Sequence, residues 1–166
     1  MRKLTVIALC LTALNAVIIY RGMSPPPHVV AAANEGIRYI NVPGLGTPIA
    51  RYSHAVSLPA GEDLVFVSGM GGETPDGKLV SESVVEQTRQ TMENLKKALE
   101  AAGTDFSHVL KMNIFLTDLD HMPELRKVRD AYLDPKRPPV MTTVKILGLV
   151  TPGKVEIEVV AARRRS

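Results

Sequence analysis

The segment Val109–Thr117, VLKMNIFLT, alternates between two faces of an extended chain. One face carries only apolar side chains, and the other mixes polar with aromatic ones. A two-residue period of this kind predicts a β-strand that buries one face in a protein core. The buried face is formed by Leu110, Met112, Ile114 and Leu116, and the other by Lys111, Asn113 and Phe115.

Two amphipathic helices are predicted on either side of this strand. The first begins near Ser83, which with Glu86 fits a capping box, and it ends at Gly103. The second begins at Pro123 and ends before Pro135. Apolar or small residues recur along the first helix at three- and four-residue steps, at Val84, Thr88, Met92, Leu95, Leu99 and Ala102.

Four further segments are predicted to be strands, with a possible fifth near the start of the folded part. Residues 59–63 are predicted to join the first two strands as a hairpin. Two helices and one sheet indicate an α+β fold with the helices on one face. The other sheet face must then be covered by something else, and oligomerisation is expected to cover it. The four segments are residues 52–58, 64–68, 140–146 and 155–161, and the possible strand is residues 37–42.

The charge of the predicted folded part differs in sign from that of the whole chain. The 166 residues have a net charge of +3, but residues 22–162 contain 14 basic and all 17 acidic side chains, a net charge of −3. Aromatic residues make up only 4%. Nucleic-acid binding by the folded part is therefore not expected. A single cysteine and scattered histidines predict neither a disulfide nor a metal site, and no cofactor motif is present.

The first 21 residues are predicted to be a signal peptide or an N-terminal membrane anchor. Residues 4–20 carry no charge and are bounded by basic residues on both sides. Residues 22–36, with three consecutive prolines, are predicted to be a linker, and residues 37–166 the folded domain. The expected location is periplasmic, secreted or membrane-anchored, with the cytoplasm as the alternative. Membrane contact is expected only through residues 4–20, if these are not cleaved.

The last predicted strand contains one carboxylate of special interest. Val155 and Ile157 point to one face, so Glu156 between them points to the other. In solvent this side chain would be an ordinary surface charge. In a partly apolar cleft its pKa would rise, and it could act as a general acid or base. Alternation alone favours the solvated alternative.

Five segments together resemble the Rid family (reactive intermediate/imine deaminase, YjgF-like). The resemblance implies a chorismate-mutase-like α+β subunit, a homotrimer and ligand clefts between neighbouring subunits. It also implies hydrolysis of imines and enamines, with release of ammonia and a 2-oxo acid. The segments are LVFVSG at residues 64–69, QTRQ at 87–90 with ENLK at 93–96, AAG at 101–103, VLKMNIFLTD at 109–118 and VEIEV at 155–159.

The resemblance also implies a set of site residues. Glu156 takes the position of the family's catalytic glutamate, and Tyr52, Ser68 and Gly69 take substrate-binding positions. The family's carboxylate-binding arginine is replaced by Met141, whose thioether cannot donate hydrogen bonds to a carboxylate.

Two functions are compatible with the replacement of the family's arginine by Met141. The first is an imine or enamine hydrolase that prefers a neutral or more apolar substrate. The second is a non-catalytic trimeric protein that binds a small molecule in the same cleft. A further hypothesis is that Arg51, Arg126 or Arg137 supplies the missing cation.

Overall fold

The computed structural model describes residues 36–46 and 48–164. The predicted signal peptide or anchor and nearly all of the predicted linker lie outside these residues, so both stay predictions. Within the described ranges, no helix is long and apolar enough to cross a membrane.

A four-stranded mixed sheet forms the centre of the domain. Strands are numbered along the chain as β1 to β6, and the central sheet has the order β3-β6-β4-β5. The pair β4–β5 is parallel, and the other two pairs are antiparallel. A separate antiparallel ribbon contains β1 and β2. The strands are β1 Arg38–Ile40, β2 Ala55–Ser57, β3 Glu62–Met70, β4 Val109–Leu116, β5 Val140–Lys145 and β6 Val155–Arg164.

Two helices, α1 (Val84–Ala101) and α2 (Met122–Arg129), accompany the central sheet. Two short 3₁₀ turns, Phe106–His108 and Leu119–His121, precede β4 and α2. The core lies between the helices and one sheet face, and the predicted apolar stripe of α1 is buried there. The predicted α+β fold, with two helices on a sheet, is therefore confirmed. The buried core includes Met92, Leu95, Leu99, Met112, Ile114, Leu116, Leu125, Val155, Ile157 and Val159.

The opposite sheet face carries apolar side chains that nothing else within residues 36–46 and 48–164 covers. Phe66 is 73% exposed, and Leu64 and Val144 are also exposed. A cavity of about 390 Å³ lies on this face, lined by Phe66, Ser68, Lys111, Asn113, Glu158 and Val160 among others. Exposed apolar patches of this kind are typical of interaction surfaces, which agrees with the expected oligomerisation.

Two local predictions were wrong. The strand β2 is shorter than predicted and pairs with β1 rather than β3, so residues 59–63 do not close a hairpin. Ser83 precedes α1, but its side chain makes no capping bond. The Ser83 backbone N–H, which would donate to Glu86 in a capping box, instead donates to Ser81 Oγ at 2.9 Å, and the Glu86 carboxylate accepts from Arg89 at 2.6 Å.

Candidate active site

Glu156 lies against a β-bulge in the neighbouring strand. Val67 is opposite Val159 and Met70 is opposite Ile157, so Ser68 and Gly69 together oppose Glu158, two residues along the strand from Glu156. The Glu156 side chain occupies the space beside the Gly69 Cα atom. A Cβ atom on Gly69 would lie 2.3 Å from Glu156 Oε1 and 2.7 Å from its Cδ. The structure therefore brings Gly69 and Glu156 together, and only glycine allows this approach, whereas Ser68 lines the cavity that contains Glu158.

The carboxylate of Glu156 is half-buried on the uncovered sheet face. Its strand neighbours Val155 and Ile157 are fully buried on the helix side, so alternation directs Glu156 the other way. It makes no hydrogen bond or ion pair with any other residue in the described part of the chain. By contrast, the Glu158 carboxylate accepts a hydrogen bond from Asn113 Nδ2 at 2.7 Å. On this strand, Glu156 is therefore the carboxylate without a hydrogen-bond partner among the described residues.

Two polar residues of α1 hold the loop that follows the bulge. Asn94 Nδ2 donates to the backbone oxygens of Gly71 at 3.1 Å and Glu73 at 2.8 Å. The fully buried Gln87 donates from Nε2 to the Ser81 backbone oxygen at 2.8 Å. Its Oε1 accepts from the Lys154 backbone N–H at 2.7 Å, at the entry to β6. These bonds connect both strands of the bulge region to one rigid helix.

Gln87 and Asn94 were not predicted from the sequence to have a role at the site. Both lie in segments that carried the family resemblance. A buried glutamine within an apolar helical stripe requires polar partners, which is the signal that could have identified it.

Gly72 is expected to be intolerant of any side chain. A Cβ atom there would lie 2.8 Å from both Cα and Cβ of Gln87, so the helix backbone would have to move. We expect Gly72→Ala to lower the free energy of unfolding by about 1–3 kcal/mol. Urea unfolding measures this, with Gly148→Ala as the control because no atom lies within 4 Å of a Cβ there. Equal stability of the two variants would contradict the packing described.

Tyr52 and Met141 are the other two predicted site residues, and they form a second group. Ser53, next to Tyr52, donates from its backbone N–H to the Pro139 oxygen at 3.1 Å and from its hydroxyl to the Pro138 oxygen at 2.6 Å. These contacts place the segment that contains Tyr52 beside the two prolines that precede β5. The Met141 side chain packs against the core.

Within one copy of the chain, Met141 of the second group lies apart from Glu156 and Gly69, which form the first group. Met141 is in register with Met112, and Met112 with Val159, so Met141 lies three residues along and two strands across from Glu156. These offsets correspond to about 10 Å along the strands and about 10 Å across them. Met141 also packs on the helix side, whereas Glu156 faces the uncovered side. One subunit therefore does not form a single site from all five predicted residues.

Two of the three candidate arginines are already neutralised. Arg51 donates from Nη1 to the Asp130 backbone oxygen at 3.1 Å, and its Nε lies 3.6 Å from the Asp130 carboxylate. Arg137 donates from Nε to Asp134 Oδ2 at 2.9 Å, and this carboxylate raises the pKa of Arg137. Arg126 differs, because its Nε is buried without a hydrogen-bond acceptor in the described ranges.

No group of three or more possible metal ligands occurs within residues 36–46 and 48–164. The Tyr132 phenol, whose pKa departs furthest from its ordinary value among the described residues, lies in a groove between α1 and α2 that also contains Arg89 and Lys127. Burial and a 2.8 Å hydrogen bond to the Glu93 carboxylate raise the pKa of Tyr132 to about 12. This phenol therefore stays protonated at neutral pH and serves as a donor to Glu93.

Comparisons with known proteins assign the chain to a family. A family model described as Endoribonuclease L-PSP matches residues 45–163. Reactive Intermediate Deaminase A, chloroplastic, of Arabidopsis thaliana is 33% identical over 139 residues, which are 83% of this chain and 73% of that protein. The 2-iminobutanoate/2-iminopropanoate deaminase of Mus musculus is 31% identical over 116 residues, which are 69% of this chain and 83% of that protein. The chain belongs to the Rid family.

A solved Rid structure has the same fold. The crystal structure of RidA from the Antarctic bacterium Psychrobacter sp. PAMC 21119 is similar with a TM-score of 0.57 and 32% sequence identity. The matched region covers 75% of this chain and 98% of the Psychrobacter protein. The region matched by the Rid family model contains both groups of site residues, from Tyr52 to Glu156.

Proposed function

We propose that this protein is an imine or enamine hydrolase that releases ammonia from a small reactive imine. The observation that carries the proposal is the Glu156 carboxylate, held against Gly69 and without a partner in the described part of the chain. The names of the Arabidopsis and mouse relatives, both deaminases, support the same reaction class.

The proposed reaction needs one group that can both accept and donate a proton. A water molecule adds to the imine carbon while Glu156 accepts a proton from it. The protonated carboxyl then donates this proton to the nitrogen, which gives a carbinolamine. Glu156 next accepts the proton of the carbinolamine hydroxyl and passes it to the nitrogen, so that the C–N bond breaks, ammonia leaves and the carbonyl product forms. For an enamine, the carboxyl first protonates the carbon and so generates the imine. General acid–base catalysis of this kind contributes about 10²- to 10⁴-fold to a rate.

We infer that the complete site forms in a homotrimer. Tyr52 and Met141 of one subunit would lie opposite Ser68, Gly69 and Glu156 of its neighbour. The separation of these two groups within one chain supports this arrangement, as do the exposed apolar residues of the uncovered sheet face. Closed cyclic assemblies bring two different surfaces of one chain together at every interface.

The substrate preference is proposed to differ from that of relatives with an arginine at position 141. Met141→Arg is expected to increase the ratio of kcat/KM for 2-iminopropanoate to kcat/KM for an imine without a carboxylate by about tenfold or more, because a guanidinium forms charge-assisted bidentate bonds. Met141→Lys, which adds the charge without the planar fork, serves as the control and should give a smaller gain. An unchanged ratio in a folded Met141→Arg variant would contradict this role of position 141.

Two other functions are less well supported. The name of the family model mentions an endoribonuclease, but the net charge of −3 over residues 22–162 disfavours an RNA-binding surface. A non-catalytic protein that only binds a small molecule in the cleft remains the alternative. A protein that only binds a small molecule would not need a proton acceptor at position 156.

The experiment that tests the proposal uses the full-length chain with 2-iminopropanoate generated in situ from alanine by an amino-acid oxidase. We expect ammonia release to be faster than in the uncatalysed control. An imine generated from benzylamine by an amine oxidase, which has no carboxylate, is tested in parallel. No acceleration with either imine would favour the non-catalytic alternative.

A further inference from the structure

A groove lies between α1 and α2, on the side of the sheet opposite to Glu156. Its volume is about 520 Å³, which is within the range of small-molecule sites. Residues one helical turn apart line it on each helix, Val85 and Arg89 on α1 and Glu124 and Val128 on α2. Because Glu156 faces away from the helices, this groove is separate from the candidate active site.

The floor of the groove is apolar and held in place. Val85, Val128 and Tyr132 are half-buried and line it between the helices. The Tyr132 hydroxyl donates to Glu93 Oε1 at 2.8 Å, and the ring packs edge-on against Phe106 with 5.6 Å between the ring centroids. These two contacts fix the tyrosine ring, so the groove presents a preformed apolar surface to a ligand.

Each wall of the groove carries a positive charge. Arg89 on α1 and Lys127 on α2 both line it, and both are exposed. Arg89 donates from Nη1 to the Glu86 carboxylate at 2.6 Å, which offsets part of its charge. Lys127 forms no ion pair with another residue in the described part of the chain. With Glu124 as the carboxylate of the lining, the groove has two positive side chains and one negative one.

We propose that this groove binds a small carboxylate with an apolar chain, whose carboxylate lies between Arg89 and Lys127 and whose chain lies on Tyr132. An ammonium and a guanidinium both donate charge-assisted hydrogen bonds to a carboxylate. The excess of positive charge disfavours a cationic ligand. A small inorganic anion would leave the apolar floor in contact with water, which an alkyl chain would displace.

The shape of the groove favours an extended chain. The lining extends from Glu124 on α2 to Ala131 just after this helix, which is about two helical turns, or roughly 11 Å. A straight alkyl chain can follow the helices over this distance. Octanoate combines such a chain with a single carboxylate, and it is therefore the probe for the experiment.

The test is a calorimetric titration of the full-length protein with octanoate and with octanamide, which has the same chain but no charge. We expect octanoate to bind the wild type about tenfold more tightly than octanamide, because hydrogen bonds between charged groups are the stronger ones. Lys127→Met should weaken octanoate binding about tenfold and leave octanamide binding within about twofold. Lys136→Met, which removes an exposed lysine outside the groove, should change neither affinity.

Ala131→Glu tests where the ligand lies. Ala131 is exposed and lines the groove, so a larger acidic side chain should obstruct the site and repel a carboxylate without disturbing the core. We expect octanoate binding to weaken more than tenfold in this variant while the thermal unfolding temperature stays that of the wild type.

Three results would overturn the proposal. The first is a wild type that does not bind octanoate, and the second is equal octanoate binding by the wild type, Lys127→Met and Ala131→Glu. The third is a change of oligomeric state in Ala131→Glu, measured by light scattering, because the groove would then be an interface with a second copy of the chain. None of these measurements involves an imine, so their outcome is independent of the proposed hydrolase function.

Discussion

Glu156→Gln is expected to lower the rate of imine hydrolysis by about 10²- to 10⁴-fold. Glutamine has nearly the same shape as glutamate, but its amide cannot accept and return a proton at neutral pH. The packing of the side chain against Gly69 should therefore persist while the proton transfer is lost. Ammonia release from 2-iminopropanoate, with thermal unfolding to check the fold, measures the effect.

Glu158→Gln is the matched control for this change. Glu158 lies two residues further along the same strand and on the same face, but its carboxylate accepts a hydrogen bond from Asn113. Its replacement should leave the activity within a few fold of the wild type. A similar loss in both variants would indicate a general effect of charge on this sheet face, and would contradict a specific role of Glu156.

Gly69→Ala is expected to produce the second large loss of activity, about 10²-fold, at a small cost in stability. The added Cβ would meet the far end of the Glu156 side chain, which can rotate away. The fold then persists, but the carboxylate leaves its position, and misplacement of a catalytic group by about 1 Å is enough for such a loss. Steady-state kinetics and urea unfolding, measured together, separate the two effects.

Gly71→Ala provides a control of the same kind two residues away. A Cβ atom there would lie 2.4 Å from an oxygen of Glu73, so this change displaces a different carboxylate. Activity should be retained in Gly71→Ala and lost in Gly69→Ala. The opposite order would mean that Glu73, rather than Glu156, carries the chemistry.

The fold was largely predictable because its signals are local. The alternation in Val109–Thr117 and the stripe of α1 both reflect burial on one face, and both elements are present with nearly the predicted bounds. The predicted capping box at Ser83 was wrong because the Ser83 backbone N–H donates to Ser81 Oγ rather than to Glu86, a contact that the motif alone does not reveal. The pairing of β2 with β1 depends on contacts distant in sequence, which local patterns do not encode.

The candidate site was predictable only in part. The direction in which Glu156 points follows from its neighbours Val155 and Ile157, which are both buried. Its approach to Gly69 depends on the bulge in β3, and a run of glycines does not specify where a bulge occurs. The separation of Met141 from Glu156 follows from strand order, so it could be measured only once the sheet was known.

The proposed site requires Glu156 of one subunit to act together with Tyr52 of another, and mixed trimers test this requirement most directly. Glu156→Gln and Tyr52→Ala, each inactive alone, are unfolded together, mixed in equal amounts and refolded. With each site shared between neighbours, random mixing should restore activity at about one quarter of the sites. If both residues of a site come from the same chain, no mixture can contain an intact site. A mixture as inactive as its two components would therefore contradict the shared site.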